Sequence, residues 1–223
     1  MLVISLTSIP PRFAQLPRVI AALNAQTRPP DRIFLTLPKR YRRFPGSHAP
    51  PDIAGVEVLR PDHDPGPAGK VLCVARLLAG QPVDLLYCDD DWDYAPGWAQ
   101  GFLDARVAQG PDTVLAGATF DGSRVGLPGV TIAQGFAGVM IRPDHLDAIA
   151  QTPPNAAWTV DDIWLSGSFA RADLPVVEVP GLRALATPLA DAANLQDARV
   201  DGRTRAQANL ACAACVKRAA VRP

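Results

Sequence analysis

The chain has 223 residues, 48% of them hydrophobic, with 22 Lys and Arg balanced by 22 Asp and Glu. That length suits a single domain with a full core, and a formal charge of zero gives no bulk attraction to nucleic acid or an anionic membrane. The four cysteines do not make a secreted disulfide framework in a chain this size, no apolar run reaches membrane-spanning length, and the short opening segment lacks the basic start of a signal peptide, so a soluble cytoplasmic protein is expected. The preference for Ala, Pro and Arg over Lys is compatible with a GC-rich bacterial genome.

In chain order, residues 2–6 form an apolar run closed by Thr-Ser and a Pro pair, which predicts a buried strand. Residues 12–25 carry Phe13, Leu16, Val19, Ile20 and Leu23 at helical spacing, and Pro29-Pro30-Asp31 stops that helix. Strands follow at 32–37 and 55–59, separated by a loop at 39–51 that opens with four bases in five residues. A loop at 60–69 leads to a helix at 70–79 and a fourth strand at 83–88. Pro96 opens a helix at about Gly97, and residues 113–118 predict a strand. Strand and helix alternate up to residue 118, the pattern of a parallel sheet with helices on both faces. Beyond it, the short apolar pieces of 125–141 predict antiparallel additions. Helices are expected at 145–150 and 160–171, a strand at 174–179, and a loop-like tail from Thr187 to a last helix near 205–220.

The run from 83 to 93, VDLLYCDDDWD, is the most informative stretch. A buried strand ends in three aspartates, and packed like charges need a cation, a proton or open water. At the carboxyl end of a parallel strand, where an open α/β sheet keeps its ligand crevice, hard oxygens suit Mg²⁺ or Mn²⁺ with a phosphorylated substrate. If the strand stays extended, Asp89 and Asp91 share a face and Asp90 points away.

Four further pieces could carry chemistry. Thr7, Ser8 and Arg12 follow the first strand, where polar groups face the crevice and a helix start favours phosphate; Thr7 or Ser8 could equally be an ordinary helix cap. Lys70 follows a Gly/Pro loop that lacks P-loop spacing but can still present a point charge to a diphosphate. Small residues at 134–138 would let a substrate approach the backbone, or simply make a bend. Asp161 and Asp162 precede an apolar helical run beside tryptophans, as a carboxylate base with a raised pKa or as helix-capping acids. Cys212 and Cys215 have the gap of a zinc pair, but no second pair follows, so they are expected to be structural.

Together these pieces resemble the GT-A glycosyltransferases, more narrowly their family-two-like bacterial members. The opening ISLTSIPPRFAQLPRVIAALNAQTRPPDRIFL resembles their first strand–helix–strand unit; GPAGKVLCVARLL with VDLLYCDDDWDYAPGW resembles the segment leading into their DxD motif; and VDDIWLSG resembles their base motif. The resemblance spans roughly residues 2–170. It implies an α/β fold with a mostly parallel central sheet, flanking helices and a short antiparallel addition. It also implies one domain over 1–223, with a nucleotide-binding half at 1–118 and an acceptor half with the C-terminal helix at 119–223.

The activity implied is transfer of a sugar from a nucleoside-diphosphate sugar to an acceptor hydroxyl with inversion, assisted by Mn²⁺ or Mg²⁺. The acceptor would be a glycan, a lipid-linked molecule or a small molecule, and surface polysaccharide is the family-level expectation for the product. Thr7, Arg12 and Asp62 would line the nucleotide pocket, with Asp90 counted in the same set. Lys70 would approach the pyrophosphate, Asp89 the ribose or the metal, and Asp91 would bind the metal. Asp162 would deprotonate the acceptor, and Asp161 holds the place usually taken by Glu. The family's late His ligand has no counterpart, since His48, His63 and His145 are the only histidines. That leaves fewer protein ligands, an Asp such as Asp191 in its place, or weak metal dependence. Nucleotidyltransferases of the same fold are disfavoured because Ser8-Ile-Pro-Pro-Arg12 is not glycine-rich. A haloacid-dehalogenase-like phosphatase would carry its nucleophile on the first strand, and a non-catalytic α/β binding domain would not need carboxylates at two element ends.

Overall fold

The structure, a computed structural model, describes residues 1–189 and 199–220. Strand β1 (Leu2–Thr7) lies in the interior of a seven-stranded sheet. On one side it pairs in parallel with β2 (Arg32–Thr36), which pairs in parallel with β3 (Glu57–Leu59). On the other side it pairs in parallel with β4 (Asp84–Tyr87). The chain thus runs outward from β1 in one direction and then returns to its opposite flank, which makes the gap beyond β1 and β4 a topological switch point where such sheets hold ligands.

The hydrophobic alternation of β1 decides which helix covers which face. Leu2, Ile4 and Leu6 are buried against α1 (Leu16–Asn24) and α3 (Trp98–Gln109), through Leu16, Val19, Ile20, Leu23, Trp98 and Phe102. Val3 faces the opposite way, toward α2 (Gly69–Leu77) and α4 (Asp161–Arg171), where Val71, Val74, Leu165 and Phe169 complete the second layer. Strand β4 splits in the same manner, Leu86, with Cys88 just past the strand, to one layer and Leu85 with Tyr87 to the other.

Past α3 the order changes as expected. Strand β6 (Val114–Ala116) joins the central sheet through β9 (Val139–Ile141), which is antiparallel to both β4 and β6, and β10 (Val176–Glu178) closes the edge. A side hairpin pairs β7 (Thr119–Asp121) with β8 (Thr131–Ala133). The last helix, α5 (Arg205–Ala220), packs on α4 through Cys212, Ala213 and Val216 against Ile163 and Trp164.

Several local expectations are corrected. The helix expected over 12–25 begins only at Leu16, because Pro10–Arg12 makes a separate 3-10 turn that aims Arg12 into the crevice. No α-helix spans 145–150. There the Arg142 backbone N–H donates to His145 Nδ1 at 3.3 Å and the Ala150 N–H to Asp147 Oδ1 at 2.7 Å, local side-chain bonds that compete with helix formation. An antiparallel pair went unexpected: β5 (Trp92–Tyr94) with β11 (Ala186–Pro188). Both strands are only three residues long, and their partner is supplied from the far end of the chain, so neither has a periodicity of its own to read.

Candidate active site

A cleft of about 240 Å³ opens at the carboxyl ends of β1, β2 and β4. Its lining includes six carboxylates, Asp64, Asp89, Asp90, Asp91, Asp161 and Asp162, against the four cations Arg12, Arg43, Lys70 and Arg205. The acidic loop is held in place from below. Tyr94 Oη accepts from the Asp89 N–H at 3.1 Å and lies 3.0 Å from the Asp89 carbonyl and 3.1 Å from that of Phe136, tying the loop after β4 to the turn before β9.

The three aspartates divide differently from strand alternation. The strand ends at Tyr87, the chain turns, and Asp91 joins Asp90 rather than Asp89. Arg12 bridges the pair, with Nη1 2.7 Å from Asp90 Oδ1 and Nη2 2.8 Å from Asp91 Oδ2. Ser8 Oγ donates to Asp90 Oδ2, and Gln15 donates to the Asp90 carbonyl at 3.2 Å. Asp90 is buried; burial pushes its carboxyl up, opposed by Arg12 and Ser8. The residue expected to point away is therefore the one anchored inward. Neither Thr7 nor Ser8 acts as a helix cap, since the Thr7 hydroxyl donates to the Thr36 carbonyl at 2.8 Å.

Asp89 turns to Lys70. Although Lys70 sits in the first turn of α2, where the helix dipole disfavours a cation, its ammonium is almost fully buried, 2.8 Å from Asp89, 2.9 Å from Asp161 and 3.9 Å from Asp162. Burial works against its charge, but the three carboxylates outweigh burial and push its pKa well up, so it stays an ammonium. Gly135 makes room for this arrangement. A Cβ there would stand 2.6 Å from Lys70 Nζ and 3.2 Å from Asp162 Oδ1, so the small residue serves the lysine's packing.

Asp161 and Asp162 open α4, yet neither caps it: the N-cap is Val160 with no side-chain bond. Asp161 is buried on Lys70, its side chain 6% exposed. Asp162 accepts the Gly135 N–H at 3.2 Å and keeps 21% of its side chain exposed. Burial, with Asp161 and Asp89 reinforcing it against Lys70, pushes the Asp162 carboxyl up to about 7.

Asp62, expected in the pocket, is exposed and pairs with Lys39 at 2.8 Å outside the cleft. Asp64 lines the cleft in its stead. Its carboxylate is drawn inward by the backbone N–H groups of Gly66 and Arg42, both at 2.8 Å. The base-rich loop after β2 also lines the cleft, through Tyr41 and Arg43. Trp158 forms a wall there, donating to the Asp64 carbonyl at 3.1 Å with Arg42 over its ring. Arg205, from α5, had no local signal at all in the sequence. Trp92 and Phe136 also line the cleft and stack at 4.4 Å.

Among the described residues no group of three His, Cys, Asp or Glu converges as a closed metal cage. Asp191 lies outside the described residues. Asp89 and Asp91 nevertheless share a cleft in which carboxylates outnumber cations. Such hard oxygens are a donor type chemically suited to Mg²⁺ or Mn²⁺. Cys212 is buried in the α4–α5 layer, and all four cysteines are free thiols.

No family model matches the chain, and no curated protein matches it in sequence. Solved structures do match in shape. Glucosyl-3-phosphoglycerate synthase from Mycobacterium tuberculosis, in complex with Mn²⁺, UDP and phosphoglyceric acid, superposes with a TM-score of 0.53 at 14% identity, covering 80% of this chain and 67% of that one. A mannosyltransferase from Pyrobaculum calidifontis, in complex with GDP-mannose and Mn²⁺, gives 0.52 at 10% identity, covering 81% and 54%. The chain thus spans about two thirds of the first relative and about half of the second. No helix among the described residues is long and apolar enough to cross a membrane. The strand order, the crevice beyond β1 and β4 and these superpositions agree on one architecture: the chain has the GT-A fold of nucleotide-sugar glycosyltransferases.

Proposed function

We propose that the protein is a glycosyltransferase that moves a sugar, a hexose or a close relative, from a nucleoside-diphosphate donor to an acceptor hydroxyl with inversion. The observation that carries this reading is Asp162: a carboxylate with a pKa near 7, partly open to the cleft that also holds the Asp89–Asp91 loop, on the GT-A fold. A general base works best when its pKa lies near the operating pH, and the neutral-pH carboxylate of Asp162 would take the proton of the attacking hydroxyl. Asp161 is a poorer base, because it is buried and committed to Lys70.

Residues 1–118 would supply most of the donor site and residues 119–223 most of the acceptor site, in one catalytic domain. Thr7, Arg43 and Asp64 line the cleft beside β1 and β2 and would meet the nucleoside. Arg12 holds Asp90 and Asp91 in a fixed geometry and would lend its charge to the diphosphate. Asp91, with Asp89, would hold Mn²⁺ or Mg²⁺, which supplies Lewis-acid stabilisation of the leaving diphosphate when bound. The excess of carboxylates over cations in the cleft supports such a cation, since a diphosphate would otherwise add negative charge to an already acidic site. Lys70, through Asp89 and Asp161, would keep the donor and base sides in register. That both solved neighbours hold Mn²⁺ with a nucleotide or nucleotide sugar supports the same donor class here. Use of a cytoplasmic nucleotide-sugar pool to build surface polysaccharide belongs to this reading.

The test is calorimetry and thermal shift with UDP, GDP and nucleoside triphosphates, with and without Mn²⁺, followed by a screen of nucleotide sugars for donor hydrolysis. Tight diphosphate binding that needs Mn²⁺ is the expected result. A preference for triphosphates would point to nucleotidyl transfer, and no binding to any nucleotide would make the chain a non-catalytic binding domain.

A further inference from the structure

Two aromatic rings that line the cleft, and one cation beside them outside its lining, are left unused by the reading above. Trp92 and Phe136 are half-buried and stacked, their centroids 4.4 Å apart and their planes 27° from parallel. The Arg183 guanidinium carbon lies 4.8 Å from the first centroid and 4.9 Å from the second. Being nearly equidistant from both, it sits beside the seam of the stack and not over an outer face. One end of its fork is fixed, Nη1 donating to the Ala186 carbonyl at 2.9 Å. The side chain is otherwise exposed, and among the described residues no carboxylate pairs with it.

This platform has a definite place relative to the chemistry. Trp92 directly follows Asp91, and Phe136 directly follows Gly135, whose N–H holds Asp162. Both rings line the same cleft as the acidic loop and Asp162, the cleft an acceptor must enter if its hydroxyl is to reach the base. Charge then orients what binds there. An anionic group would be repelled from the five carboxylates at the floor, Asp89 to Asp91 with Asp161 and Asp162, and drawn to the rim, where a pre-positioned guanidinium can make paired hydrogen bonds to phosphate or carboxylate. A neutral hydroxylated portion would lie over the aromatic surface with its hydroxyl toward Asp162.

We infer that Trp92, Phe136 and Arg183 form an acceptor subsite for a small hydroxylated molecule bearing a phosphate or carboxylate group, with Arg183 gripping the anion. This inference rests on the glycosyltransferase reading and narrows its acceptor. The experiment is calorimetry in the presence of Mn²⁺ and saturating nucleoside diphosphate, with glycerol 3-phosphate, glycerate, glycerol and inorganic phosphate as probes. Either anionic probe should bind at least about tenfold more tightly than glycerol; which of the two is preferred separates phosphate from carboxylate. Arg183→Gln should remove that advantage, Arg183→Lys should restore part of it, and Trp92→Ala should weaken the anionic polyols more than inorganic phosphate. The inference is overturned if the anionic probes and glycerol bind alike, if Arg183→Gln leaves the difference intact, or if inorganic phosphate alone binds as tightly as glycerol 3-phosphate and is indifferent to Trp92→Ala. Nucleotide binding is recorded first in the same samples. Its absence would sink the glycosyltransferase reading and this inference with it, whereas nucleotide binding without anion preference would sink this inference alone.

Discussion

The adjacent carboxylates Asp161 and Asp162 should respond in opposite directions to the same substitution. Asp162 has a folded-state pKa of about 7 against 3.8 for an unperturbed aspartate. The folded protein therefore binds a proton that the unfolded chain has released between roughly pH 4 and 7, and stability attributable to this group falls as pH rises through that window. At pH 8 the charged carboxylate costs at most about 4 kcal/mol, taking about 1.4 kcal/mol per pKa unit. Partial exposure reduces this to about 1–3 kcal/mol. Asp162→Asn keeps an acceptor for the Gly135 N–H and removes the buried charge. It should raise Tm at pH 8 by several degrees, at about 2–4 °C per kcal/mol for a chain of this length, and by much less at pH 4. Sugar transfer should fall by roughly 10²–10⁴. Asp161→Asn instead strips Lys70 of a partner at 2.9 Å and leaves a buried ammonium under-compensated, at a cost of about 3 kcal/mol. The assay is thermal unfolding by circular dichroism at pH 4 and pH 8 in metal-free buffer, beside transfer rates. If Asp162→Asn lowers Tm at pH 8 and transfers sugar at the wild-type rate, both the charge argument and the base assignment are wrong.

Other perturbations follow from the same geometry. Asp91→Asn should lose Mn²⁺-dependent nucleotide binding by at least tenfold in calorimetry, and unchanged binding would remove Asp91 from the metal site. Gly135→Ala should cost about 1–3 kcal/mol and most of the activity, because its methyl would overlap Lys70 Nζ; a crystal structure showing Lys70 undisturbed would refute that. Charge reversal at Arg43, which lines the cleft, should weaken nucleotide binding; an effect confined to the acceptor KM would place the loop on the acceptor side instead. The Cys212→Ser, Cys215→Ser double variant should retain wild-type activity, and metal analysis of the parent should find no stoichiometric zinc; zinc lost in the variant would overturn the structural assignment of the pair.

What could be read from the sequence alone was periodic or abrupt. Alternation in β1, helical spacing in α1 and the sudden passage from VDLLYC to three aspartates predicted a parallel sheet with an acidic mouth, because burial imposes a period and a ligand crevice interrupts it. The order of the elements pointed to the fold, and the motif order to the cleft's main carboxylates. Partner choice was not legible. Asp62 and Asp64 look alike in sequence, and only the backbone N–H groups of Gly66 and Arg42 select Asp64 for the cleft. Lys70 reads as a residue for a diphosphate, yet the tertiary fold surrounds it with Asp89, Asp161 and Asp162, residues 19, 91 and 92 positions away along the chain. Arg205 reaches the cleft, and Arg183 the aromatic pair beside it, from the last fifth of the chain without any local pattern. Periodicity records how deeply a side chain is buried, whereas charge pairing depends on which distant segment arrives beside it, and that is decided only when the layers pack.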